Sequence, residues 1–197
     1  MQTPDLYTGT PMGKAILEAL AQMNDSIAEQ IANAQPGSYS AYIFGGAALH
    51  IHTNARGSAD IDVELSAGRY LDLSDILVFY TDENGQSQAL VLDANFNGGI
   101  SGLLSENYQE DAIPIWGDDT SPLKAYVVSA LDLAVHKLDR LAENDENDIK
   151  SLAAKGRFTP DELATHAYQA LEYAIGDRNR LKGNIEYMLR VLRADGF

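Results

Sequence analysis

The sequence predicts an α+β fold: a small mixed β-sheet core with an N-terminal helix, followed by a C-terminal helical bundle. Three observations carry this. Residues 60–65 alternate acidic and apolar side chains, the period-2 signature of a strand with one polar and one buried face. Residues 76–80 and 89–96 are apolar strand patterns separated by Asn84-Gly85, a dipeptide that suits a tight hairpin because both residues tolerate positive φ. From Pro122 onward the apolar residues recur at helical steps instead. The implied division is 1–120 for the α/β core and 121–197 for a helical region packed on it.

Taken in order, residues 11–34 form a helix pattern, with Ile16, Leu17, Leu20, Met23, Ile27 and Ile31 at three- and four-residue steps. Pro36-Gly37 stops it. Residues 39–44 read as a short strand ending at Gly45-Gly46, and 47–52 as a short helix leaving that turn. The strand at 60–65, the hairpin and its return strand follow. Residues 97–115 read as loop, with Gly98-Gly99 and a short helix near Leu103. Leu131, Ala134, Val135, Leu138 and Leu141 make the stripe of the next helix, and residues 148–154 continue helical. Thr159, Pro160 and Glu162 mark a helix start by capping box, with Phe158 and Leu163 spaced as a hydrophobic staple. That helix runs to about Ala174, and Gly176 stops it; a last helix carries Leu181, Ile185, Met188, Leu189 and Leu192.

Composition narrows the function classes. The chain has 197 residues, no cysteine and a formal charge of −15. Without cysteine there are no disulfides, thiolate metal sites or cysteine nucleophiles. With no run of Lys or Arg, the basic footprint of a stable DNA binder is missing. No apolar run approaches a membrane span, and the N-terminus lacks a signal-peptide layout, so a cytoplasmic protein without a membrane partner is the expectation. Ser105 and Ser129 have no neighbouring His/Asp arrangement, and the Walker pattern is absent. His50 and His52 read as structural or exposed rather than as a metal pair, and Trp116 as core rather than as a ring that stacks on a base.

Asp60 and Asp62 lie one residue apart on a predicted strand, so their carboxylates share a face. Like charges this close repel, and a divalent cation offsets the repulsion. Oxygen-only ligation favours Mg²⁺. Glu64 continues the same face one strand step further on. A third carboxylate would complete such a site, and Asp93 is the natural choice if hairpin pairing brings its strand beside the first. An ordinary exposed strand acid is its other reading. The Gly45-Gly46 turn follows a strand and precedes a helix, where backbone can approach a phosphate closely and free N–H groups face it.

Phe44-Gly45-Gly46 followed by Asp60-Ile61-Asp62-Val63 resembles the signature of the DNA polymerase β-like nucleotidyltransferase superfamily. Residues 42–63, with Arg56 and Ser58 just before the aspartates, look closest to the bacterial AbiEii-type and related MNT-type proteins. Leu131-Asp132-Leu133-Ala134-Val135-His136-Lys137-Leu138, followed by Asp145 and Asp148, is similar to a helical motif of those families. The arginine they place close before the first helical aspartate is represented only by Arg140, somewhat early. The resemblance implies an NTP substrate, with its phosphates on Gly45, Gly46 and Ser58 and Mg²⁺ on Asp60, Asp62 and Asp93. It implies that Lys137 contacts phosphate and that Asp148 or Asp145 orients the nucleotide or acceptor. A protein or RNA acceptor follows, and a place in a toxin–antitoxin or phage-defence pair. The alternatives are a catalytically silent nucleotide-binding or antitoxin-like module and, more remotely, a Mg²⁺-dependent phosphohydrolase.

Overall fold

Thr10 opens the first helix. Its side chain accepts the Gly13 N–H at 3.0 Å, and Pro11 supplies the fixed φ of a first helical residue. The helix, α1 (Pro11–Gln30), buries Met12, Ile16, Leu20, Met23 and Ile27 along one stripe. It ends a turn before the stop expected at Pro36-Gly37, with Ile31 already extended. The computed structural model describes residues 5–66, 71–98 and 102–197; Gly99 of the Gly98-Gly99 pair and the first four residues lie outside these.

Strands β1 (Tyr39–Ile43), β2 (Asp60–Ser66), β3 (Leu77–Thr81), β4 (Ser87–Asp93), β5 (Ile113–Trp116) and β6 (Leu123–Val127) form one mixed sheet in the order β3-β4-β2-β1-β6-β5. Pairs β1/β2, β3/β4 and β5/β6 are antiparallel, whereas β1/β6 and β2/β4 are parallel. Asn84-Gly85 lies in the turn that closes β3 on β4, as expected, but of the two only Gly85 takes positive φ, 79°; the Gly85 N–H donates to the Asp82 carbonyl at 3.0 Å. Ile43, Ile61, Val63, Val78, Leu90 and Leu92 point to one face, which α1 and α2 (Gly45–Thr53) cover. The opposite face carries Asp60, Asp62 and Glu64 on β2, and Asp93 on β4.

The sheet departs from the sequence reading in its last two strands. Residues 113–115 fall in the expected loop of 97–115, and helices are expected directly after Pro122, yet 113–116 and 123–127 are strands. β6 alternates buried and half-buried residues, and Ala41 and Ile43 of β1 meet its buried side. Around Leu103 the chain forms bends and turns rather than a helix; Leu103 itself is fully buried.

The remaining helices are α3 (Ala130–Arg140), α4 (Glu143–Ala154), α5 (Pro160–Tyr173) and α6 (Arg178–Ala194), and they pack on one another. Ser129 caps α3 by accepting the Asp132 N–H at 3.1 Å. The α5 capping box forms as its sequence dictates: Thr159 N–H donates to Glu162 at 2.7 Å and Glu162 N–H to Thr159 at 3.3 Å. Phe158 and Leu163 of the staple are both buried. The chain groups into two compact units. One holds Leu6–Asn97 and Ala112–Val127; the other holds Met1–Asp5, Gly98–Asp111 and Val128–Phe197. With six strands and six helices among the described residues, the architecture is mixed α/β and compatible with the α+β expectation. No helix among those residues is long and apolar enough to cross a membrane.

Candidate functional site

Phe44 follows β1 directly; its ring is fully buried and packs on Phe96 with centroids 5.1 Å apart. The Phe44 N–H donates to the Asp62 carbonyl at 2.9 Å, which fixes the end of β1 against β2. The chain then turns at Gly45, with φ at 61°, straight into α2. Phe44, the N-cap residue, offers no side-chain cap of its own to the first turn of α2.

Two glycines are needed here for two different reasons. A Cβ on Gly45 would sit 1.8 Å from Asp62 Oδ2, in a backbone conformation that L side chains already resist. A Cβ on Gly46 would sit 2.5 Å from Ser58 Oγ and 3.1 Å from Arg56 Nη1. The glycine turn is thus in direct contact with the aspartate strand and with the loop before it. Ser58 completes the connection by donating its hydroxyl to Asp60 Oδ1 at 3.0 Å. Gly45, Gly46, Arg56, Ser58, Asp60 and Asp62 form one contiguous cluster.

Asp93 lies one strand over from this cluster. β2 and β4 run parallel with Asp60 opposite Val91 and Asp62 opposite Asp93. Directly opposed residues share a face, so all three aspartates project to the same side. Asp60 and Asp93 are exposed and Asp62 is half-buried. Glu64 lies further along β2 opposite Tyr42, which stacks on Tyr126 with centroids 5.4 Å apart. Burial, above the other influences on it, raises the Tyr42 hydroxyl pKa.

The donor chemistry suits a hard divalent ion. Among the described residues no three acidic or histidine side chains are gathered closely enough to form a cage for a metal ion. Mg²⁺ does not require one, because it commonly binds through one or two carboxylates and takes its other ligands from water and substrate phosphates. Asp60 and Asp62 beside the start of α2 fit that mode.

The helical motif lies in the other unit. Lys137 Nζ is 2.7 Å from Asp148 Oδ2 and 3.6 Å from Asp145 Oδ1, with all three side chains buried. Arg140 grips Asp145 through Nε at 2.8 Å and Nη2 at 2.9 Å. Asp145 also accepts the Ala142 N–H at the start of α4. Burial alone would raise the Asp145 pKa, but the Arg140 hydrogen bonds, the Ala142 N–H and the Lys137 charge outweigh it and hold the carboxyl below its ordinary value.

Two further features were not legible as site features. The place of Arg56 beside Gly46 depends on residues 54–59 folding back along α2, and the local sequence carries no sign of that. His50 is buried, and its ring nitrogens meet Thr10 Oγ1 at 2.7 Å and the Arg56 carbonyl at 3.1 Å, so it pins the same loop. A cleft of about 640 Å³ runs along this loop, lined by Arg56, Ser58, Tyr80 and Gln88 among others. Tyr80 and Gln88 share the strand parity of Val78 and Leu90, whereas Ser58, also in the lining, is bonded to Asp60.

No curated protein matches the chain. The profile of a family described as "Nucleotidyltransferase of unknown function (DUF6036)" matches residues 18–188. That match takes in the glycine turn, the aspartate strand and the lysine-bearing helix, and by it the chain belongs to this nucleotidyltransferase family.

Proposed function

We propose that the protein transfers a nucleotidyl group from an NTP to a hydroxyl of a protein or RNA acceptor. The observation that carries this is the contact of the glycine turn with Asp62 and Ser58, which joins a phosphate cradle to a carboxylate pair. A triphosphate at the start of α2 would meet the first-turn backbone N–H groups of that helix and the Ser58 hydroxyl. Asp60 and Asp62 would hold Mg²⁺, which when bound supplies charge stabilisation at the phosphates; Asp93, one strand over on the same face, is the third carboxylate that the resemblance assigns to the ion.

In the transfer, the acceptor oxygen bonds to the α-phosphorus as the bond from that phosphorus to the α,β-bridging oxygen breaks. Pyrophosphate leaves. The hydroxyl proton passes to the Asp93 carboxylate and from there to water. Lys137 and Asp148 enter the proposal through resemblance alone. The Lys137 ammonium is engaged by two carboxylates, so a phosphate contact requires it to exchange one of them for a phosphate oxygen. Kinship with the polymerase β-like superfamily and the AbiEii and MNT types, a cytoplasmic setting and a toxin–antitoxin or defence partner belong to the same reading. The short motifs of residues 42–63 and 131–148 support them.

The test is incubation of the purified chain with Mg²⁺, each α-labelled NTP and candidate acceptors, beside Asp60→Ala/Asp62→Ala. Labelled acceptor that disappears in the double variant supports the reading. Thermal stabilisation by NTP–Mg²⁺ without transfer identifies a nucleotide-binding module instead. Neither transfer nor stabilisation rejects both.

A further inference from the structure

β3 is one edge of the sheet, and no described strand pairs with its outer side. The ladder tells which way its main-chain groups point. Leu92 N–H donates to the Ile76 carbonyl at 3.1 Å, and bonded and non-bonded pairs alternate along an antiparallel ladder. Val78 opposite Leu90 and Tyr80 opposite Gln88 therefore bond within the sheet, whereas Leu77, Phe79 and Thr81 turn N–H and C=O outward. Such an edge is a template for another strand.

The same edge exposes apolar side chains on the carboxylate face: Leu77 is 41% exposed, Phe79 69% and their β4 neighbour Val91 46%. Val91 is the ladder partner of Asp60 and lies one strand step from Asp93. An apolar strip thus leads from the sheet edge to the aspartates.

Charge decides what this strip accepts. Residues 71–98 include Asp72, Asp75, Asp82, Glu83 and Asp93, with no lysine or arginine. A nucleic acid would be repelled, and a second copy would bring the same acids edge to edge. An extended cationic polypeptide with apolar residues at alternate positions is complementary in charge and in pattern.

We infer that β3 is the docking edge for a polypeptide acceptor, which adds to the sheet as an extended strand with its apolar side chains beside Leu77 and Phe79. That the docked chain is an acceptor rests on the transfer reading; the docking does not. An added strand would lie two strand spacings from β4, about 10 Å. The modified hydroxyl therefore belongs to a residue about three or more positions beyond the docked segment, where extended chain can reach Asp93.

The experiment titrates the ¹⁵N-labelled protein, without NTP, with a synthetic peptide of alternating lysine and valine. The amide signals of Leu77, Phe79 and Thr81 should shift and gain exchange protection, with binding that weakens as salt rises. Phe79→Pro removes an outward N–H without removing a bond to β4, and should weaken binding about 10-fold or more, whereas Phe79→Ala, which keeps the N–H, should cost less. The mapping on the unsubstituted protein stands even if the proline variant does not fold. Absence of shifts at β3, equal binding of a glutamate–valine peptide, binding of an RNA oligonucleotide at β3, or a β3-mediated dimer in ultracentrifugation would each overturn the inference. Failure here leaves the transfer reading intact, and failure of NTP labelling leaves the docking edge intact.

Discussion

Gly46 has no room for a methyl group. Its helical backbone would tolerate one, so the obstacle is steric: Ser58 Oγ occupies the space at 2.5 Å from an ideal Cβ. Gly46→Ala should push Ser58 away from Asp60, costing about 1–3 kcal/mol by overcrowding. Thermal unfolding reads the stability, and NTP-dependent labelling should fall with it. Two histidines give a second residue-scale outcome. The hydrogen bond from His166 Nε2 to buried Asp132, at 2.7 Å, raises the His166 pKa above 6.5. The folded chain then holds that proton more tightly than the unfolded chain. The resulting stabilisation is fully present below pH 6.5 and is lost as pH rises through the raised value. His136 has the opposite sign: burial first, then the neighbouring Lys137 charge, push it down to about 4. Stability therefore falls as pH drops from 6.5 toward 4, by at most about 3 kcal/mol. Urea titrations across pH should show His166→Asn flattening the alkaline limb and His136→Gln flattening the acid limb.

At the scale of elements, α3 and α4 are joined by a buried clasp of charges. Lys137→Met leaves Asp145 and Asp148 buried with one cation fewer, and loss of one partner from such a group costs about 3–5 kcal/mol. Urea unfolding measures this. Pairing the change with Asp148→Leu should recover part of the loss, because the second substitution removes the stranded charge. Elements with strong local signals were legible in the sequence: the capping box of α5, the Asn84-Gly85 hairpin, and the alternation of β2 that put Asp60 and Asp62 on one face. The register that sets Asp93 opposite Asp62 followed from the hairpin only in outline. β5 escaped because it has only four residues and Pro114 interrupts its pattern, and β6 because its apolar run continues into α3. Their strand identity comes from long-range pairing, with β1 as the template for β6.

For the whole molecule, the −15 charge is a constant self-repulsion in the compact state. Added NaCl should raise the midpoint of thermal unfolding by screening the exposed acids, while the buried Lys137 clasp is screened far less. Differential scanning calorimetry of parent and Lys137→Met across a salt series separates the two: the salt-dependent rise should survive in the variant. The order of strands along the chain also has a consequence for how the protein is born. β2 has both of its ladder partners, β1 and β4, in hand once the ribosome has released Asp93. β1 must wait for Leu123–Val127 before its other side is occupied. On the ribosome the carboxylate-bearing strand can therefore be framed while the middle of the sheet is still open along one side. That open side awaits a long-range pairing, and it is where a slow folding step would fall.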